Sequence, residues 1–254
     1  MANSTFLGID VGATGMKGGL VDVRKGTMLT ERFRFDTPKP ATPMAMTNTF
    51  RKLIDEIGYR GPIGVGFPAV VNRNVARTAA NIDESWIGTD IAKVFGQQVE
   101  MPVHTINDAD AAGIATMRFG IGKKFRKEGT VLMITIGTGL GSALFQDGKL
   151  VPNLELGSLY LRNQKVIAEK YVSNKVRKDT DMSMKEFGKK LNEYLSHVDQ
   201  LLNPDLIVLG GGGSKYFEDY KRYLRTNATV RPAKFGNTAG TVGAALYAAE
   251  RASS

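Results

Sequence analysis

Residues 6–23 read FLGIDVGATGMKGGLVDV: an apolar run ends on Asp10, breaks into glycines and resumes as a second strand-like run. The pattern returns at 131–145 as VLMITIGTGLGSALF. A chain that twice writes strand, glycine turn, strand commits itself to two hairpins whose turns present backbone rather than side chain. Glycine accepts positive φ and lets a ligand approach bare N–H groups. Turns rich in such groups form concave anion sites. Thr14 and Thr138 add hydroxyls, and Lys17 adds a point charge suited to a phosphate oxygen, or else plain surface charge. Each turn alone reads more readily as a mere tight hairpin. Together with the glycine run 210–213 after a buried strand, they favour a phosphate-bearing ligand. GATGMKG is not a Walker A loop, which needs Gly-Lys-Ser/Thr opening a helix. GTGLGS continues as a strand, which argues against a dinucleotide fold.

Between the hairpins, Met46, Phe50, Leu53, Ile54 and Ile57 recur at helical spacing, and 62–71 reads as a buried strand entering a loop at Pro68. A strand at 103–106 leads into Asn107-Asp108 and a small-residue helix. In the second half a helix is predicted around 165–177. Another starts at Ser183, where Ser183 and Glu186 form a capping box and Asn203-Pro204 stops it. Strands alternating with helices argue for α/β architecture. The 254 residues suffice for two modest domains. No stretch approaches the roughly 20 apolar residues of a membrane span. The absence of cysteine excludes disulfides and thiolate metal sites, and a cytoplasmic location without membrane partners is expected. Against 25 acidic residues stand 34 lysines and arginines, a net charge of +9 that favours a polyanionic partner or simply a basic surface. No nucleic-acid motif accompanies the charge, so nucleic acid is not expected.

Four segments, GIDVGATGMKGG, INDADAAG, ITIGTGLGSALF and IVLGGGGS, resemble in order the signatures of the actin-like sugar kinases, and among them the ROK family. FDTPKPATP, AANIDESWIGTDI, KLVPNLELG and YLSHVDQLLNPDL are similar to the polyphosphate-glucokinase branch of that family. The resemblance implies an actin-like ATPase (ribonuclease H-like) fold: two duplicated α/β domains around a central cleft. The first domain would be 1–108, the second 109–239, with a last helix at about 240–254 returning to the first. It implies phosphoryl transfer from inorganic polyphosphate, with ATP as a further donor, to the 6-hydroxyl of glucose. It also implies Mg²⁺, no structural zinc and a homodimer.

By the same resemblance, donor phosphates would meet Gly12, Thr14, Gly15 and Lys17 in the first loop and Thr135, Gly137, Thr138, Gly139 and Gly141 in the second. Gly210, Gly211 and Gly212 would line the adenosine of a nucleotide, and Asp10 would hold Mg²⁺. Asp108 is the catalytic candidate, accepting a hydrogen bond from the sugar alcohol; a helix cap is the alternative role for an aspartate there. Asp110 reads as a first-turn helix acid. Sugar contacts fall to Asn81, Asn107, Asp108, Glu155 and Glu169, with Gly66 and Pro68 in a covering loop; Glu169 reads equally as helix-surface charge. The family pattern Glu-x-Gly-His stands here as Glu155-Leu156-Gly157-Ser158, which removes a ring nitrogen from the sugar network. Two other readings are an ATP-only hexokinase for mannose or an amino sugar, and a non-catalytic ROK sugar sensor. A chain that enters its first strand at once is not expected to carry the sensor's DNA-binding domain.

Overall fold

The structure, a computed structural model, describes residues 4–253. Its first elements are β1 (Thr5–Gly12), β2 (Gly15–Asp22), β3 (Thr27–Met28), β4 (Phe33–Phe35), α1 (Pro43–Ile57) and β5 (Ile63–Phe67). They continue with β6 (Val71–Asn72), β7 (Val75–Ala76), α2 (Ile91–Val99), β8 (Val103–Asn107) and α3 (Asp108–Phe119). Then come β9 (Thr130–Ile136), β10 (Leu140–Gln146), β11 (Lys149–Val151), α4 (Ala168–Val172), α5 (Asn174–Asp179) and α6 (Met184–Leu202). The chain finishes with β12 (Leu206–Gly210), α7 (Phe217–Tyr220), β13 (Thr229–Pro232) and α8 (Ala239–Ala252).

The chain forms two units. One runs to Ala115 and resumes at Thr238; the other spans Thr116–Asn237. The first sheet has the order β3-β2-β1-β5-β8, with β4 also on β2; the second has β11-β10-β9-β12-β13. In each, a hairpin supplies the antiparallel half and two parallel strands extend it. The two sheets thus share one plan, as the repeated glycine hairpin implies.

The division between units falls inside α3, later than the 108/109 boundary expected from sequence. The reason lies in packing. A Cβ on Gly243 of α8 would overlap the carbonyl of Ala111, so the first turns of α3 are pressed against α8 and belong with it. A second difference concerns the helix expected around 165–177, which is broken into α4 and α5. Ser173 between them is extended (ψ 166°), and its hydroxyl accepts from the Val176 amide to cap α5.

Local signals explain the remaining helices. Thr42 caps α1 by accepting from Ala45 N, Pro43 opens it, and Gly58 closes it in the left-handed region at φ 69°. The predicted stripe Met46, Phe50, Leu53 and Ile54 is buried. Phe50 stacks on Phe95 at 4.3 Å, and Trp86 meets Phe67 edge-on at 4.8 Å while its indole N–H donates to Ala41 O, so the single tryptophan is core. Ser183 caps α6, whose Phe187, Leu191, Tyr194, Leu195 and Val198 fill the second core.

The tightest packing is α8 on the first sheet. A Cβ on Gly8 would overlap the carbonyl of Thr241, and one on Gly64 that of Ala244, so helix backbone lies directly on strand backbone. Gly64→Ala is therefore expected to cost about 1–3 kcal/mol through forced separation and to lower the melting temperature. Gly137→Ala, at a position with nothing within 4 Å of the added carbon, is expected to leave it nearly unchanged. Equal melting temperatures for the two variants would refute the close approach.

Candidate active site

In the first unit, Gly12 pairs with Gly15 across the hairpin, leaving Ala13 and Thr14 as its turn. Arg34 of β4 donates to Thr14 O at 3.1 Å and pairs with Asp36 at 3.0 Å, and Thr37 donates to Gly12 O at 2.6 Å, so the loop is fastened from outside. A Cβ on Gly15 would come within 2.7 Å of the Arg34 Nε. Lys17, in register with Asp10 on the facing strand, brings its ammonium 3.6 Å from the Asp10 carboxylate. Burial pushes the Asp10 carboxyl above its ordinary range, while Lys17 and Arg32 hold it back. A Cβ on Gly240 would stand 2.9 Å from the Asp10 Cγ, so the carboxylate abuts the first turn of α8. That end of a helix favours negative charge.

Register carries this cluster across the sheet. Asp10 aligns with Gly66 on β5, Gly66 with Ile106 on β8, and Phe67 with Asn107. A Cβ on Gly66 would lie 3.4 Å from the Asp108 Cα. Asp10, Gly66 and Asp108 therefore come together at the carboxyl ends of adjacent parallel strands, where ligands of α/β sheets bind. Pro68 is half-buried in the turn that follows, where Ala69 N donates to Phe67 O at 2.8 Å.

The helix-capping role open to Asp108 from sequence is performed largely by Asn107. The Asn107 Oδ1 accepts from Ala109 N at 2.9 Å and Asp110 N at 3.1 Å, and its Nδ2 donates to Ala69 O at 3.0 Å. Asn107 is buried and braces the site from beneath. Asp108 is half-buried, with Oδ1 2.8 Å from the Ala109 amide. Asp110 is fully buried in the first turn of α3. Asn81 is exposed, in a bend before the Asp83-capped turn at 84–86.

In the second unit, Thr135 aligns with Gly141 across the hairpin and with Gly210 on β12. Gly137 N donates to Gly139 O at 3.0 Å, and Thr138 is exposed at the tip. None of Gly12, Gly15, Gly137, Gly139 and Gly141 has positive φ; Gly211 does, at 72°. The hairpin glycines are thus not required for a left-handed backbone, and crowding that excludes a side chain is found at Gly15 and Gly139. Gly137 faces open space, whereas a Cβ on Gly139 would overlap the Oε2 of Glu169. A Cβ on Gly211 would lie 2.7 Å from the Ile136 carbonyl oxygen, and one on Gly212 3.2 Å from the Asn174 amide.

Glu169 lies in the first turn of α4, its side chain 14% exposed, with Oε1 3.8 Å from the exposed Lys170 ammonium. The carboxylate thus lies against the hairpin and is mostly shielded, unlike a freely solvated helix-surface charge. Glu155 follows β11. The hydroxyl of Ser142 donates to Leu154 O and accepts from Leu156 N at 3.0 Å, clamping both neighbours of Glu155. Glu155 is exposed as a residue, yet protein around its carboxyl pushes it above the ordinary carboxylate range, and the Glu169 charge pushes the same way. Ser158 is exposed, its amide donating to Glu155 O at 3.1 Å.

Among the described residues no three histidine or acidic side chains gather as a metal cage. Arg34, Thr37, Ser142 and Gly240 are parts of the site that sequence reasoning did not single out. The GlySer pair at 141–142 and the AlaGly pair at 239–240 are visible in the sequence, but their partners are distant along the chain.

The ROK family model matches residues 6–155. Polyphosphate glucokinase of Mycobacterium tuberculosis is 41% identical over 244 residues, covering 94% of this chain and 89% of that protein. The inorganic polyphosphate/ATP-glucomannokinase of Arthrobacter sp. strain KM superposes with a TM-score of 0.93 at 43% identity, covering 98% of this chain and all of that one. A ROK glucokinase of Streptomyces griseus, solved with glucose and AMPPNP, superposes at 0.83 with 24% identity over 97% and 99% of the two chains, and so shares the actin-like fold. By its matched segments, its duplicated sheet plan and these likenesses, the chain belongs to the ROK family.

Proposed function

We propose that this protein is a polyphosphate glucokinase, transferring a phosphoryl group from inorganic polyphosphate, and also from ATP, to the 6-hydroxyl of glucose. The observation that carries the reading is the gathering of Asp10, Lys17, Gly66 and Asp108 at adjoining strand ends beside a glycine hairpin. A protein 41% identical over 94% of the chain bears that activity in its name.

Phosphoryl transfer needs an oriented alcohol, compensation of charge on the phosphoryl oxygens and an acceptor for the alcohol proton. In this reading Asp108 accepts the hydrogen bond of the 6-hydroxyl and takes its proton late. Asn107 holds the strand-to-helix junction so that Asp108 is correctly aimed. Glu155, Glu169 and Asn81 accept from or donate to the sugar hydroxyls, and Gly66 and Pro68 shape the covering turn. Backbone N–H groups of residues 12–17 and 137–141 take the donor phosphates, with Lys17 on their terminal oxygens; Gly210–Gly212 accommodate adenosine when ATP is the donor.

Magnesium fits this set through Asp10, a partly exposed carboxylate that would bind alongside donor phosphates and waters, since the ion keeps several waters and needs few carboxylates. When bound it would neutralise phosphate charge. A homodimer in the cytoplasm belongs to the same reading; no helix among the described residues is long and apolar enough to cross a membrane. The solved glucomannokinase makes mannose a second acceptor to examine.

The test is formation of glucose 6-phosphate with Mg²⁺, comparing long-chain polyphosphate with ATP across salt concentrations. Polyphosphate turnover is expected to fall steeply with salt, as polyanion binding does. Turnover with ATP alone, insensitive to salt, would defeat the donor assignment. Asp108→Asn is expected to lower kcat by roughly 10²–10⁴ with sugar affinity retained, and a wild-type rate would remove Asp108 from its role.

Glu155 generates a further expectation. Its folded-state pKa is raised, so its ionised form opposes folding slightly and that cost is relieved as pH falls. Glu155→Gln should leave the melting temperature at neutral pH equal or higher while raising the KM for glucose. The acid limb of the wild-type glucose kcat/KM profile should lie above the ordinary carboxylate range. A destabilised variant with an unaltered KM would contradict both points.

A further inference from the structure

The contact between Glu169 and Gly139 is unexpected at a loop read as a phosphate cradle. The Glu169 carboxylate occupies the face of Gly139 that a side chain would otherwise fill, and the glutamate is mostly shielded from solvent. Its nearest cation, Lys170, is 3.8 Å away on a side chain 60% exposed, where an ion pair compensates charge weakly. The same segment is tied to the hairpin a second time, because Lys175 N donates to Gly137 O at 3.1 Å. The segment that follows α4 is therefore anchored to the same loop that the carboxylate faces.

A fixed negative charge at a cradle for phosphate works against donor binding. It also stands within electrostatic reach of Glu155, the other acid of the proposed sugar site. Two like charges so placed favour a ligand that donates hydrogen bonds to both, and a sugar offers a ring of hydroxyls for that purpose.

We propose that Glu169 couples the two substrates: in the sugar-free protein its carboxylate against Gly139 opposes phosphate at the second hairpin, and sugar hydroxyls bound to Glu169 and Glu155 draw that charge off the loop. The inference rests on the kinase reading above and adds to it an order of binding, acceptor before donor. It gives Glu169 a second task besides holding sugar. The consequence is that polyphosphate and ATP are kept from the second hairpin when no alcohol is present to receive the phosphoryl group.

The decisive quantity is donor affinity without sugar, because loss of a sugar contact alone cannot raise it. Equilibrium binding of long-chain polyphosphate, and of ATP with Mg²⁺, is measured on the intact wild-type protein and on Glu169→Gln, with and without glucose. Glu169→Gln is expected to bind donor about tenfold more tightly than wild type in the absence of glucose, the size of effect expected from removing one nearby charge. Wild type is expected to reach comparable affinity only when glucose is added. Glu169→Asp keeps the charge but withdraws it by one methylene, so its sugar-free affinity should lie between the two, and it carries the test alone if the glutamine variant does not fold. Sugar-free donor affinity equal to wild type in the variants overturns the coupling. If wild type meanwhile phosphorylates glucose, the kinase reading survives that failure; if wild type neither binds donor nor phosphorylates any hexose, both fall together.

Discussion

The first unit depends on helix backbone lying directly on sheet backbone. Gly8 on β1, Gly64 on β5 and Gly243 on α8 each face a carbonyl that the smallest side chain would strike. Close packing of this kind transmits small displacements instead of absorbing them. Its functional result is positional. The Gly64 contact holds the strand that two residues later presents Gly66 to Asp108, and Gly240 lets the first turn of α8 receive the Asp10 carboxylate. A helix more than a hundred residues away in sequence thereby sets where two of the three central groups stand.

The second unit repeats the sheet plan but dresses its hairpin differently. Around the first loop the charged neighbours are mostly cations: Lys17 on Asp10, Arg34 on the Thr14 carbonyl, and Arg32 within electrostatic range of Asp10. Around the second, acids stand closest, Glu169 against Gly139 and Glu155 held by the Ser142 clamp, with the exposed Lys170 3.8 Å from Glu169 and the Lys175 backbone on Gly137. Duplication supplied two equivalent cradles, and side chains outside the turns made them unequal. Glycine spacing alone could not reveal this difference, since both turns are written in nearly the same residues.

The hairpins, the capped helices α1 and α6, the small-residue character of α3 and the family were legible from local patterns. Strand period, capping residues and signature segments are all encoded within a dozen residues of one another. What escaped was of two physical kinds. One was the job of each glycine: positive φ, one of the two reasons expected at the hairpins, is absent there, and at Gly15 and Gly139 the space is taken by Arg34 and Glu169, which pack there from afar. The other was the division of labour within Asn107-Asp108. Both can cap a helix, and only geometry shows that Asn107 accepts from two amides and holds the Ala69 carbonyl.

That division bears on how the site works. An aspartate that had to cap its own helix would hold its carboxylate toward the second and third amides of the turn, and reorienting toward a sugar would cost those bonds. With Asn107 accepting from both Ala109 and Asp110, the Asp108 Oδ1 rests 2.8 Å from the Ala109 amide and is not the main cap of the helix. The pair thus leaves the start of α3 mainly to Asn107, the arrangement on which the role proposed for Asp108 rests. Exchanging the two residues would keep the composition but set the cap and the acid each one residue from its present place, with the side-chain amide that donates to Ala69 O no longer beneath the strand end.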